Sequence, residues 1–255
     1  MSLTDGIIGC WSPSVRGSGY LLPDLSGTGN HGTLNGMSET DWQSATVYGR
    51  SGRVLNGDAT NNRVATALRL PTSNMTYGGW VLCRALLGGP QRNRPFGEAD
   101  SQSGVSGSSL LLATSGPYVV FRGSSAGDIN ASFPLVNNRW YLFVVVLGRQ
   151  GEIWVDGRLA GTAAGTTIVS RNVGFQIVVD DIVNPLNGIN GLVGEVCVWN
   201  RALAQPEVLE WFRRGNGAIG QQLTGQTRRR VYGFVPAGFR AYWARRQHQI
   251  IGGGV

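Results

Sequence analysis

Few side chains in this 255-residue sequence have the types and spacing that chemistry requires. Retaining glycoside hydrolysis needs two carboxylates about 5 Å apart, commonly supplied by acids that alternate along one strand and so face one cleft. Asp180 and Asp181 are adjacent, which turns them to opposite faces of a strand, and Glu195 stands alone in VGEVCVW. The two histidines, His31 in a glycine-rich loop and His248 near the end, have no nucleophile or metal-ligand partner at helical spacing. The chain is therefore expected not to be an enzyme. Cys10, Cys83 and Cys197 are odd in number, far apart and without a CxxC or Cys/His cluster. That pattern predicts buried free thiols made in a reducing cytosol, and neither a disulfide framework nor a zinc site.

Three kinds of binding chemistry remain. In DLSGTGNHG, Asp24, Ser26 and Asn30 present short oxygen side chains amid glycine. Such a loop can wrap a Ca²⁺ at about 2.4 Å, or its Asp and Asn can simply stabilise turns by side chain to backbone bonds. No other cofactor is called for. A glycan would need exposed aromatic faces together with Asn, Asp or Arg for its hydroxyls. Trp42, Trp80, Trp140, Trp154 and Trp199 lie in strand-like contexts and are expected in the core, while the loops Gly88 to Asp100 and Ser101 to Ser109 could shape a pocket without a recognisable motif.

The third chemistry is charge. All 22 basic residues are Arg. Residues 1–200 carry 13 Arg against 13 acids, so the formal +7 lies entirely in the last 55 residues, where 9 Arg face only Glu207 and Glu210. Arg228, Arg229, Arg230, Arg245 and Arg246 alternate there with Tyr232, Phe234, Phe239, Tyr242 and Trp243. Phosphates and stacked bases would suit this composition. The aromatics are, however, interleaved with Pro, Ala and Gly as in protein interfaces, where Arg, Trp and Tyr are the usual anchors. The segment is expected to dock on a protein, with nucleic acid set aside.

The elements that must position these groups are mostly strands. Short β-branched or aromatic runs (Thr46 to Leu55, Gly79 to Leu87, Tyr118 to Arg122, Arg139 to Leu147, Glu152 to Val155, Gly191 to Trp199) alternate with turn-rich clusters. In EIWVDGRLAG, Asp156-Gly157 predicts a two-residue hairpin turn with Ile153 and Val155 on one face and Trp154 on the other. Gly-rich stretches such as Glu98 to Ser109 and Arg122 to Asp128 read as loops. AQPEVLEWFRRG has Pro and acids early, Arg late and a terminal Gly, the marks of a short helix packed through Val208, Leu209 and Phe212. A boundary near Gly215 divides a domain of residues 1–214 from a basic aromatic extension, 215–255. The opening MSLTDGIIGCWSPS lacks the n-region, apolar run and cleavage site of a secretory signal, and no run approaches the length of a membrane span.

DLSGTGNHGTL, Trp42, GRVLNGD, Trp80, RWYLFVVV, IWVDGRLAGT and INGLVGEVCVWNRALAQPEV occur in the order seen in laminin-G-like domains of the concanavalin A-like superfamily. Over residues 5–214 the sequence resembles that family. The resemblance implies an all-β, two-sheet antiparallel jelly-roll sandwich with one short C-terminal helix and an extended tail. It also implies a structural Ca²⁺ held by Asp24, Asn30 and a closing-strand acid, here Glu195 where the family usually has Asp. The ending AYWARRQHQIIGGGV is similar to that of tailed-bacteriophage virion proteins carrying such a domain. The expectation is a virion structural protein made in the host cytoplasm, a capsid decoration or cement protein. Its partners would be capsid or other virion proteins or a second copy of itself. The alternative is a glycan-binding module of a tail or receptor-binding component meeting a host-surface glycan; a glycan hydrolase ranks below both, and no membrane contact is expected.

Overall fold

The computed structural model describes residues 2–58, 62–86, 93–99, 107–113, 116–122, 129–164, 168, 174–178 and 188–225. In chain order its strands are β1 (Ile7–Trp11), β2 (Leu21–Leu22), β3 (Gly32–Asn35), β4 (Trp42–Val47), β5 (Arg50–Asp58), β6 (Arg63–Ala65), β7 (Met75–Cys83) and β8 (Phe96–Ala99). They continue with β9 (Gly107–Ala113), β10 (Gly116–Arg122), β11 (Ile129–Asn130), β12 (Trp140–Leu147), β13 (Gly151–Val155), β14 (Arg158–Ala163), β15 (Gln176–Ile177) and β16 (Asn190–Trp199). Helices α1 (Gln205–Arg214) and α2 (Ala218–Leu223) follow.

The strands form two antiparallel sheets. One runs β14-β13-β12-β7-β16-β5-β4, with β1 also pairing β16, and the other runs β11-β10-β9-β8-β15-β6-β3-β2. Between them lies a core of Leu22, Val64, Tyr77, Phe96, Phe143, Phe175, Val196 and Val198 among others. A second cluster covers the opposite face of the first sheet, where Trp80, Val144, Trp154, Cys197 and Trp199 meet Val208, Trp211 and Ile219 of the helices. This explains the unbroken run WYLFVVVL of β12: all eight residues are buried because the sheet is covered on both faces. Among the described residues no helix is long and apolar enough to cross a membrane.

The expected hairpin is present. Asp156 (φ 49°) and Gly157 (φ 76°) form the turn, with Ile153 and Val155 in the inter-sheet core and Trp154 on the helix side. The five tryptophans assigned to the core are all buried. The run Thr46 to Leu55 is two strands, not one, because Tyr48 (φ 47°) and Gly49 (φ 79°) turn the chain between β4 and β5. A tyrosine with positive φ carries no turn signal in sequence. Part of the loop read from Glu98 to Ser109 is also strand. Buried Ser108 accepts or donates a 2.5 Å hydrogen bond with Tyr77 Oη, so packing overrides the loop-like composition.

α1 follows its sequence signals. Glu207 accepts from the Ala204 amide (2.9 Å) and pairs with Arg201 (2.8 Å), while Gly215, with φ 80°, donates its amide to the Trp211 carbonyl. The helix packs mainly through Val208 and Trp211, with Leu209 and Phe212 half-buried. Trp211 reaches the sheet because β7 has Gly78 beneath it: a Cβ there would meet the Phe143 carbonyl and the Trp211 ring. The second helix, α2, lies in the segment that sequence reading places with the extension. Its Ile219 is fully buried against the sheet, so α2 packs on the sandwich. The remainder of that extension, 226–255, lies outside the described residues, as do Asp180, Asp181 and His248.

Candidate functional site

Three constellations bring together groups that are distant in sequence. The first is a glycine-rich loop built around Asp24. Asp24 Oδ1 accepts from the amides of Cys10 (3.0 Å) and Ser26 (2.9 Å), and Oδ2 accepts from Ser26 Oγ, Thr28 Oγ1 and the Asn30 amide at 2.9, 2.9 and 3.0 Å. Burial alone would raise this carboxyl, but the donors of Ser26, Cys10 and Thr28 hold it below its ordinary value. His31 Nδ1 accepts from the Asp24 amide (3.0 Å), and Asn30 Nδ2 donates to the Ile8 carbonyl (3.2 Å). A carboxylate offers about four lone-pair positions, and this one already serves five donors. Asp24 and Asn30 are thus together, with the Asp24 oxygens committed to the loop itself and Asn30 bonding through Nδ2 and its backbone.

Glu195 is elsewhere. The register of β16 shifts between Val193 and Val196, and this bulge turns Glu195 to the helix side with Cys197 and Trp199. The Asn216 side chain accepts the amide of Glu195 freed by the bulge (2.7 Å). The fully buried carboxylate accepts from the Gly220 amide (2.8 Å), Trp211 Nε1 (3.3 Å) and the Ile219 amide (3.4 Å), and from the Ser12 hydroxyl. Complete burial nevertheless pushes it up to about 7. Cys10 and Cys197 lie within ligand distance of it.

The third constellation was not legible in the sequence. At one end of the first sheet, the β4–β5 turn, the start of β12 and the β13–β14 turn meet. Tyr48 Oη lies within hydrogen-bond reach of the Trp140 carbonyl (3.2 Å) and Asp156 Oδ2 (3.1 Å). Asp156 also accepts from Arg139 (3.2 Å) and the Leu142 amide (2.9 Å), and the Arg139 guanidinium lies 4.7 Å from the centre of the Tyr141 ring. Burial pushes the Asp156 carboxyl up despite these donors, and burial with the neighbouring Asp156 charge raises Tyr48. The Tyr48 ring rests against Trp80 and Phe212 yet is 50% exposed. A bulky residue in the left-handed region costs about 1–3 kcal/mol and persists only where its surroundings hold it. The arrangement offers an aromatic surface beside a half-exposed guanidinium and a buried acid.

The docking residues read from sequence, Arg228, Arg229, Arg230, Phe234, Phe239, Tyr242, Trp243, Arg245 and Arg246, lie outside the described residues.

Comparison with known proteins bears on the whole sandwich. A family model of the concanavalin A-like lectin/glucanases superfamily matches residues 56–209, while no curated protein matches the chain. Among solved structures, domain 4 of AbnA, an extracellular GH43 arabinanase from Geobacillus stearothermophilus solved with arabinotriose, superposes with a TM-score of 0.62 at 15% identity. The match covers 80% of this chain and 97% of that one. Trypanosoma rangeli sialidase gives a TM-score of 0.58 at 16% identity over 82% of this chain, which spans only 32% of the sialidase. The binding domain of Paraclostridial Mosquitocidal Protein 1 gives 0.59 at 14% identity, covering 83% of this chain and 52% of that one. At these identities the likeness is one of fold.

Proposed function

Because the chain belongs to the concanavalin A-like lectin/glucanases superfamily, we propose that its sandwich is a non-catalytic recognition module that binds glycan at the face formed by Tyr48 and Arg139. The observation that carries this reading is the exposed tyrosine held in a strained turn over Asp156 and Arg139. An exposed ring serves the apolar side of a sugar and the half-exposed Arg139 guanidinium serves its hydroxyls, while the buried Asp156 holds both groups in place. The arabinotriose seated on the similar arabinanase domain fits a lectin-like use of this architecture. The acids support a module without hydrolysis: Asp24 is saturated by loop donors, and Glu195, though raised to about 7, has no exposed surface for a sugar to reach.

The test is a glycan array with the full chain and with Tyr48→Asn. Asparagine tolerates the left-handed conformation, so this variant keeps the turn and loses the ring. Binding that falls at least about tenfold in a protein that still unfolds cooperatively, at a somewhat lower temperature because the Trp80, Phe212 and Asp156 contacts are lost, is expected, and equal binding by both proteins refutes the assignment of this face.

A second reading concerns what carries the module. The neutral sequence up to Asn200 followed by a basic, aromatic extension favours a virion structural role, in which residues 226–255 attach a displayed sandwich to a phage shell or to a sister subunit. Truncation after Gly225 retains α2 and its contact with Glu195. The truncated protein is expected to melt within about 2 °C of the full chain and to fail to join particles. Normal incorporation removes the anchoring role.

A further inference from the structure

The three buried thiols are not equivalent. Cys10 and Cys197 are direct partners across the antiparallel pair β1–β16, and their Sγ atoms lie 3.2 Å apart. Cys83, on β7, instead donates to the Ala85 carbonyl. Residues directly opposed on antiparallel strands have Cα atoms about 4.5–5.5 Å apart, within the span a disulfide bridges. A carboxylate oxygen of Glu195 also lies within 4.8 Å of both sulfurs, which raises the question of a metal. Glu195 cannot serve one as placed, since Gly220, Ile219, Trp211 and Ser12 already take its lone pairs.

From this geometry we propose that Cys10 and Cys197 are a thiol–disulfide redox site, which closes to an intramolecular cross-strand bond when the chain meets a small-molecule disulfide. One cysteine thiolate attacks the oxidant, forming a mixed disulfide and releasing one small thiol. The other cysteine thiolate then attacks the protein sulfur of that mixed disulfide and releases the second small thiol. Two protein S–H bonds and the oxidant's S–S bond are lost, one protein S–S bond is gained, and the two electrons and two protons leave on the small thiols.

Burial controls when this happens. Both thiols are fully buried, and desolvation raises both above the ordinary thiol range, which suppresses the attacking thiolate in the folded state. Exchange therefore proceeds while β1 is away from β16, during folding or detachment of the N-terminal strand. Once formed, the bond joins positions 187 residues apart and ties β1 to β16, an interior strand of the first sheet. A constraint over so long a loop restricts the unfolded chain strongly.

The experiment refolds the full chain from denaturant in a mixture of oxidised and reduced glutathione, and in parallel with reductant alone. The oxidative product is expected to weigh two hydrogens less, to yield a Cys10–Cys197 linked peptide, to keep Cys83 open to alkylation, and to melt roughly 5–10 °C above the reduced protein. Cys83→Ala is expected to behave identically. Three alkylatable thiols after oxidative refolding, a link through Cys83, or a linked protein that melts below the reduced one would each overturn the proposal.

Discussion

Glu195→Ala is expected to lower the stability of the fold by about 4 kcal/mol, read as the shift in a urea unfolding midpoint at constant slope. The side chain is completely buried, and its loss strands the amides of Ile219 and Gly220 and the Trp211 indole without an acceptor. It also removes the group that holds α2 against β16. The same residue predicts an unusual pH dependence. Its folded-state value of about 7 lies above the ordinary 4.5, so between those values the native protein binds a proton that the unfolded chain does not. The associated stability is fully present below about pH 4.5 and is lost as pH rises to about 7, by about 3 kcal/mol. Glu195→Gln cannot titrate, and its stability should change correspondingly less between pH 4.5 and 7.5. A variant with the same slope as wild type would show that the proton resides elsewhere. Asp24 works in the opposite direction, because its lowered carboxyl contributes stability that disappears as pH falls through the acid range.

The second large effect is at Trp211. Trp211→Ala is expected to cost about 4 kcal/mol, since the ring is fully buried, meets Trp199 edge-on at 5.0 Å and sits over Gly78. Because Trp211 also donates to Glu195, the effects of Trp211→Ala and Glu195→Ala should not add. A double-mutant cycle is expected to give a coupling of at least about 1 kcal/mol, whereas strict additivity would mean that the two side chains act independently.

Much of the architecture could be read from local pattern. The alternation around β13, the Asp156-Gly157 turn and the Pro, Glu, Arg and Gly signals of α1 lie within a few residues of the bonds they govern. The tryptophans were legible as core because they lie in strand-like contexts, where Trp is ordinarily buried. Other features were hidden for identifiable reasons. Tyr48 interrupts what reads as one strand, since its positive φ depends on anchors at Trp140 and Asp156, 92 and 108 residues away. The face to which Glu195 points depends on a bulge that no composition announces. α2 lacks a hydrophobic period of its own and is held by Glu195 and the sheet.

By itself, then, the sequence determined an all-β chain with defined turns, one well-signalled helix and a charge division between a neutral body and a basic extension. Those properties follow from backbone preference, side-chain alternation and composition, all of which act locally. The tertiary structure alone decided that Cys10 faces Cys197, that Glu195 accepts from α2, and that Tyr48, Arg139 and Asp156 share one surface. Each depends on which strands become neighbours, and strand order is set by burying both faces of one sheet at once, a condition that no segment can satisfy alone.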